Sequence, residues 1–158
     1  MIVADIALTT LAQLAQGPDC RLHLGHDAPP HMLLWITRGQ GVALLDGMRR
    51  GVGANNVLFV PAGSLFALQM GRQSMGQAVL VRDGTALRLP EIARHRRIRA
   101  AKPQTELTAL IEAAGREQQQ RRALFNDALE AHAALISVWL RRQIALDEHV
   151  PDKRNAAG

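Results

Sequence analysis

Three histidines and an aspartate are the residues of this chain best suited to metal chemistry. His23, His26 and His31 lie close together in the sequence, and Asp27 follows His26. Imidazole nitrogens and carboxylate oxygens are the ligands that zinc, manganese and iron(II) take in proteins. His23 and His26 are three residues apart, so on a β-strand their side chains would point to opposite faces of the sheet. The spacing argues against a metal site built on that pair and leaves His26, Asp27 and His31 as the remaining candidates.

No arrangement for nucleophilic or phosphate chemistry accompanies these histidines. Ser64 follows a glycine but lacks the Gly-x-Ser-x-Gly pattern, and Cys20 has no base pattern near it. Gly39 and Gly41 close a predicted hairpin, and no helix follows them to hold a phosphate. We therefore expect no catalytic residues, no cofactor and no bound metal, and we interpret the chain as a protein that is not an enzyme.

The elements that must position these residues are short β-strands. Hydrophobic and polar residues alternate from Cys20 onwards, and the later apolar runs end at turn signals. The main turns are Gly39-Gln40-Gly41, Asp46-Gly47 and Pro61-Ala62-Gly63. Asp-Gly favours a two-residue hairpin, proline cannot donate to a sheet, and Gly63 supplies the free φ of a tight corner. Seven or eight strands within about 65 residues, with no helical pattern between them, predict an antiparallel sandwich or barrel.

Hydrophobic residues with helical spacing flank the predicted strands. Leu8, Leu11 and Leu14 predict an N-terminal arm or a short helix. After the strands, the pattern predicts a helix from about Glu106, which Gly115 interrupts.

A second helix is predicted from about Ala123 to Glu148, and its apolar stripe is unusually wide. One surface that covers the stripe would be the barrel or the first helix, and the other would be a second copy of the chain. The alternative is that the whole stripe packs within one chain. The candidate dimerisation residues on this stripe are Leu129, Ile136, Trp139 and Leu140.

Composition limits the class of protein. The 158 residues are 47% hydrophobic and 21% charged, which is typical of a globular domain with a real core. No apolar run approaches the roughly 20 residues of a membrane span, the N-terminus lacks a signal pattern, and Cys20 is the only cysteine. We therefore predict a cytoplasmic protein without a membrane partner. The net charge of +5 is concentrated around Arg94–Lys102, which we interpret as a solvated connector; contact with phosphate or a partner is the alternative.

The order of these motifs resembles the sensor half of AraC-type bacterial transcription regulators. The resemblance covers residues 20–146 and implies a mainly β fold with α, a cupin-like (jelly-roll) β-barrel followed by an antiparallel pair of C-terminal helices. It divides the chain into an effector-binding barrel with an N-terminal arm (1–90), a helical dimerisation segment (91–150) and a linker tail (151–158). The stretches that carry it are Gly25-His26-Asp27, Leu34 to Gly39, Asp46-Gly47, Phe59 to Gly63 and Phe66-Ala67-Leu68.

The resemblance also bears on the metal site. Metal cupins carry a Glu seven residues before the hairpin glycine and a His three residues after the Pro-x-Gly glycine; here Met32 and Phe66 occupy those positions. Neither is a suitable ligand. The resemblance then implies an apolar pocket for a small-molecule effector, although these side chains could instead simply fill the barrel. The predicted ligand-binding residues are His26, Met32, Leu34, Ile36, Phe66 and Leu68.

The family's partners follow from the same resemblance. It implies a homodimer that contacts DNA only through a separate C-terminal helix-turn-helix domain, and no such pattern follows Gly115. We expect the chain to be the sensor portion of a longer regulator, cut at a linker near Gly158; the alternative is a natural protein without a DNA reader. Two other functions remain as alternatives: a small metal-dependent cupin enzyme and a stand-alone interaction protein.

Overall fold

A computed structural model describes residues 5–14, 21–24 and 29–149 of the chain. Three predictions fall partly or wholly outside these residues: the ligand residue His26, the candidate metal ligand Asp27 and the linker tail 151–158. The elements are β1 (Ile6–Thr10), α1 (Leu11–Leu14), β2 (Arg21–Leu24), β3 (His31–Arg38), β4 (Gln40–Leu45), β5 (Met48–Gly53), β6 (Asn56–Val60), β7 (Phe66–Met70), β8 (Met75–Val81), β9 (Arg94–Arg97), α2 (Ala101–Gln120) and α3 (Phe125–His149).

The strands form two antiparallel sheets packed face to face. One sheet has the order β1-β8-β3-β6-β9 and the other the order β2-β7-β4-β5. Consecutive strands mostly alternate between the sheets, which is the double Greek-key arrangement of a jelly roll. Helix α3 follows α2 after a four-residue connection (121–124), and Trp139, in the second half of α3, donates a hydrogen bond to the carbonyl of Pro103, early in α2. The two helices therefore run antiparallel. The predicted fold class, a cupin-like jelly roll followed by an antiparallel helix pair, is confirmed.

The local turn chemistry follows the sequence closely. Asp46 and Gly47 have φ values of 49° and 84°, the two positive values that a type I′ hairpin needs. Gly63 has a φ of 85° at the corner between β6 and β7. The N–H of Ser64 donates to the carbonyl of Pro61 at 3.1 Å, which closes that corner as predicted.

The five-stranded sheet separates two hydrophobic cores. Alternate residues of β3 point to opposite faces: Leu33 and Trp35 pack toward α2 and α3, whereas Met32, Leu34 and Ile36 pack toward the four-stranded sheet. The molecule therefore has three layers, which are the four-stranded sheet, the five-stranded sheet and the helix pair. None of the helices in the described part of the chain combines the length and apolarity needed to cross a membrane.

Three local predictions need correction. Ile6–Thr10 form a strand that pairs with β8, so the predicted helix is limited to the four residues of α1. Arg94–Arg97 form β9, which pairs with β6, and the segment is not a solvated connector; charged side chains suit an edge strand. The predicted boundary between barrel and helical segment, at residue 90, places β9 in the helical segment, whereas the strand belongs to the five-stranded sheet. Helix α2 starts at Ala101 and continues through Gly115, because one glycine costs a helix only about 1 kcal/mol.

Candidate ligand-binding site

The interior between the two sheets contains five of the predicted ligand-binding residues. They belong to one hydrophobic cluster and are at most 6% exposed: Met32, Leu34, Ile36, Phe66 and Leu68. The alternation of β3 and β7 puts all five side chains on the inward faces of their sheets. The structure therefore brings this set together, and binding of a ligand by it stays a prediction.

This interior could recognise a ligand by its shape and its apolar surface. Its side chains contact one another closely, so a ligand would enter by displacing or reshaping them. Met32 and Met70 are both in the cluster, and methionine side chains adapt to irregular shapes more readily than branched ones. The set can select an apolar molecule but supplies no directional contact of its own.

A polar pair lies at the edge of the interior, and sequence reasoning missed it. The Nε2 of His95 lies 2.6 Å from the Oδ1 of Asn56, and Asn56 is only 6% exposed. The Asn56 amide nitrogen donates to the carbonyl of Ala54 at 3.1 Å, so its Oδ1 accepts a hydrogen bond from His95 Nε2–H. The two residues are inward-facing neighbours, because His95 pairs with Leu58 on β6, two residues from Asn56.

The electrostatics around His95 favour its neutral form. Burial lowers the pKa of His95 from its ordinary value of 6.5, and the guanidinium groups of Arg50 and Arg96 lower it further. Arg50 belongs to β5 and His95 to β9, which are the end strands of the two sheets. The open side of the sandwich between β5 and β9 is therefore polar and positively charged, next to a fully apolar interior.

The positions that hold a metal in cupin enzymes are occupied by apolar side chains. Met32 and Phe66 both lie in the inter-sheet cluster, and neither presents a nitrogen or oxygen there. Within the described residues, no group of three or more His, Cys, Asp or Glu is arranged to hold a metal ion.

His31, one of the candidate metal ligands, has both ring nitrogens engaged within the protein. Its Nδ1 accepts a hydrogen bond from Ala62 N–H at 2.9 Å, and its Nε2 lies 3.3 Å from Asp83 Oδ1. The imidazole also stacks on Phe59, with ring centroids 6.3 Å apart. These contacts fix the corner after β6 and direct His31 away from the inter-sheet interior.

The predicted dimerisation residues are covered within a single chain. They pack against the five-stranded sheet and α2 and are 1–3% exposed: Leu129, Ile136, Trp139 and Leu140. This placement agrees with the alternative that the stripe packs within one chain, since the second face of the sheet also needs an apolar cover. The leucines of α3 that remain open to solvent are Leu135 and Leu146, at 52% and 59% exposure.

No family model matches the sequence, and the search of curated proteins finds no match. Among solved structures, the apo form of a ToxT variant from Vibrio cholerae strain SCE256 is 8% identical and aligns over 92% of this chain and 58% of that one, with a TM-score of 0.56. ToxT from the same strain with an unsaturated fatty acid bound is 11% identical over 82% and 52%, with a TM-score of 0.46. A putative glyoxylate-induced protein from Pseudomonas aeruginosa is 14% identical over 60% and 42%, with a TM-score of 0.40.

The first of these likenesses concerns the fold of the whole chain. The 8% of the chain outside that alignment (100% minus 92%) is fewer residues than the 20 of α2 alone, so both the sandwich and the helix pair take part. ToxT is an AraC-family regulator, and the chain spans 58% of its length. The chain therefore has a cupin-like fold with two C-terminal helices, and this fold is similar to that of the N-terminal domain of ToxT.

Proposed function

We propose that this chain is the effector-sensing and dimerisation domain of an AraC-type transcriptional regulator, and that it is not an enzyme. The observation that carries the proposal is the order of its parts. A jelly-roll sandwich is followed by an antiparallel helix pair, and this arrangement aligns with the AraC-family regulator ToxT over 92% of the chain. In this proposal, contact with DNA belongs to a C-terminal helix-turn-helix domain outside the chain.

The effector is a small molecule that is mostly apolar and carries a polar group. Its apolar part enters between the sheets, where Met32 and Leu34 form part of the wall. Its polar group contacts the Asn56–His95 pair at the edge. One N–H of the Asn56 amide already donates within the protein, so Asn56 can offer its second N–H and the carbonyl oxygen that now accepts from His95.

The helix pair transmits the effect of binding because it is attached directly to the sheet that the effector touches. Trp35 lies on β3 between Leu34 and Ile36, and its indole N–H donates to Thr108 Oγ1 of α2 at 3.3 Å. A shift of β3 that accommodates an effector on one face would move Trp35 on the other. The effector acts only if it binds one arrangement of the helices better than another.

Dimerisation, in this proposal, uses the outer face of α3. Leu135 and Leu146 are both exposed and eleven residues apart, close to three helical turns, so they lie on one face. Val138 lies between them on the same side and is partly buried. A second copy of the chain would cover this stripe and leave the intrachain contacts of Trp139 and Leu140 undisturbed.

A reporter assay tests the regulatory role. The chain is fused to a DNA-binding domain that represses its operator only as a dimer. We expect the fusion to repress, and we expect Leu135→Glu to abolish repression while leaving the folded content unchanged by circular dichroism. Ala109→Glu, on an exposed position of α2 and outside the proposed stripe, is the matched control for added charge. Repression no stronger than that of the DNA-binding domain alone would overturn the proposal.

A further inference from the structure

The outer surface of the four-stranded sheet contains a cavity that the sensor role does not use. Its volume is about 700 Å³, within the range of sites that hold small molecules. It lies on the face of β4, β5 and β7 that points away from the inter-sheet core. Its described lining residues are Val42, Leu44, Arg49, Ala67, Gln69 and Gly71, together with Leu68 and Met70. The side chains of Leu68 and Met70 point into the inter-sheet core, so these two residues border the cavity with their backbone.

The register of three strands explains why this surface is concave. Val42 on the central strand β4 lies opposite Gly51 on one side and Gln69 on the other. Gly51 has no side chain, and a Cβ added there would have no atom within 4 Å. Two strand spacings make the depression roughly 10 Å wide, the width of one ring system or one extended alkyl chain.

The next row along the strands forms the end of the depression. Leu44 lies opposite Arg49 on β5 and Ala67 on β7. Leu44 is 44% exposed, so its side chain offers apolar surface at the end of the cavity. Arg49 thus places a permanent positive charge at the edge of an apolar floor, and none of the described lining residues is acidic.

We propose that this outer groove binds a small apolar molecule that carries a single anionic group. Arg49 binds the anion through its guanidinium, Gln69 adds an amide donor, and Val42 and Leu44 contact the apolar body. The groove is separated from the inter-sheet interior by the backbone of the sheet itself. This site is therefore distinct from the proposed effector site and does not depend on the regulatory role.

Two related fluorescent probes test the proposal on the purified chain. 8-Anilino-1-naphthalenesulfonate has an apolar body and one anionic group, and N-phenyl-1-naphthylamine has the same body without the sulfonate. We expect both to bind. Arg49→Gln should lower the affinity for the sulfonate probe by about tenfold, because one charge-assisted contact is lost. It should change the affinity for the neutral probe by less than about twofold.

A second test fills the groove with a larger side chain. Ala67→Leu enlarges a side chain that lines the cavity, so we expect the affinity for both probes to fall by about tenfold or more. Arg38→Gln, which removes an equal charge from the five-stranded sheet, is the control. Circular dichroism and urea unfolding check that each variant is folded. Unchanged binding of both probes in Ala67→Leu would overturn the site, and an equal loss of affinity for both probes in Arg49→Gln would overturn the role of the charge.

Discussion

The two faces of the five-stranded sheet are covered in physically different ways. On the helix side, directional hydrogen bonds join the layers. Trp35 Nε1–H of β3 donates to Thr108 of α2. Within the helix pair, Trp139 Nε1–H of α3 donates to the carbonyl of Pro103 in α2. Ser137 Oγ–H donates to the carbonyl of Arg88 in the segment between β8 and β9. The Gln118 side chain bonds both backbone groups of Leu8, at 2.7 and 2.8 Å.

The side that faces the other sheet is held by apolar contact. Its buried cluster includes the methionines Met32 and Met70. The polar contact described for this side lies at its edge, between Asn56 and His95. Apolar packing has no preferred direction, so this interior tolerates rearrangement better than one fixed by hydrogen bonds.

The difference suggests how one sheet can serve two purposes. Hydrogen bonds hold the helix pair against the sheet, whereas apolar contacts hold the opposite interior. A ligand that reshaped the adaptable side would move the fixed side as a unit, which is what the proposed sensor needs.

The largest expected loss of stability comes from a substitution on the helix side of the five-stranded sheet. Trp139→Ala removes a buried indole and its hydrogen bond to Pro103. We expect the free energy of unfolding to fall by about 3–5 kcal/mol, measured by urea titration. Ala131→Ser, an exposed change on the same helix, should alter it by less than about 0.5 kcal/mol. A loss below about 1 kcal/mol for Trp139→Ala would show that α3 is not anchored there.

A pair of substitutions on β3 compares the two sides directly. Trp35→Phe removes the hydrogen bond to Thr108 and part of a buried ring, so it should lower the free energy of unfolding by about 2 kcal/mol or more. Met32→Leu on the other face conserves volume and should cost less than about 1.5 kcal/mol. The same urea titration measures both. Equal costs would remove the distinction between a fixed and an adaptable side.

The smallest effect concerns pH. Because burial and the charges of Arg50 and Arg96 lower the pKa of His95 below 6.5, the unfolded chain binds a proton at this residue more readily than the folded chain. Stability is therefore retained above about pH 6.5 and lost as the pH falls through 6.5 toward the folded pKa. Between about pH 7.5 and 5.5, His95→Gln should lose less stability than the native chain in urea titrations. If the free energy of unfolding fell with pH equally in the two proteins, this account would be contradicted.

The sequence predicts features that depend on neighbouring residues. The Asp46-Gly47 hairpin and the Gly63 corner require positive φ values, and the residue types state that requirement locally. The alternation of β3 likewise predicts that Met32, Leu34 and Ile36 share a face. These predictions need no knowledge of distant partners.

The features that the sequence does not predict depend on distant pairing. β1 forms a strand because it pairs with β8. β9 consists of four consecutive basic residues, which show no alternation of hydrophobic and polar residues that would predict a strand. Asn56 and His95 are 39 residues apart, so no local pattern joins them. The stripe of α3 is visible in the sequence, but whether the sheet or a second copy covers it depends on the tertiary packing.

Native mass spectrometry of the purified chain tests the central proposal most directly, because one spectrum reports subunit number, metal content and any retained small molecule. The account predicts a metal-free dimer of 17.2 kDa subunits that becomes monomeric with Leu135→Glu. An adduct retained on the dimer would begin the identification of the effector. A monomer that carries one metal ion per chain would contradict the account and favour a metal-dependent cupin enzyme.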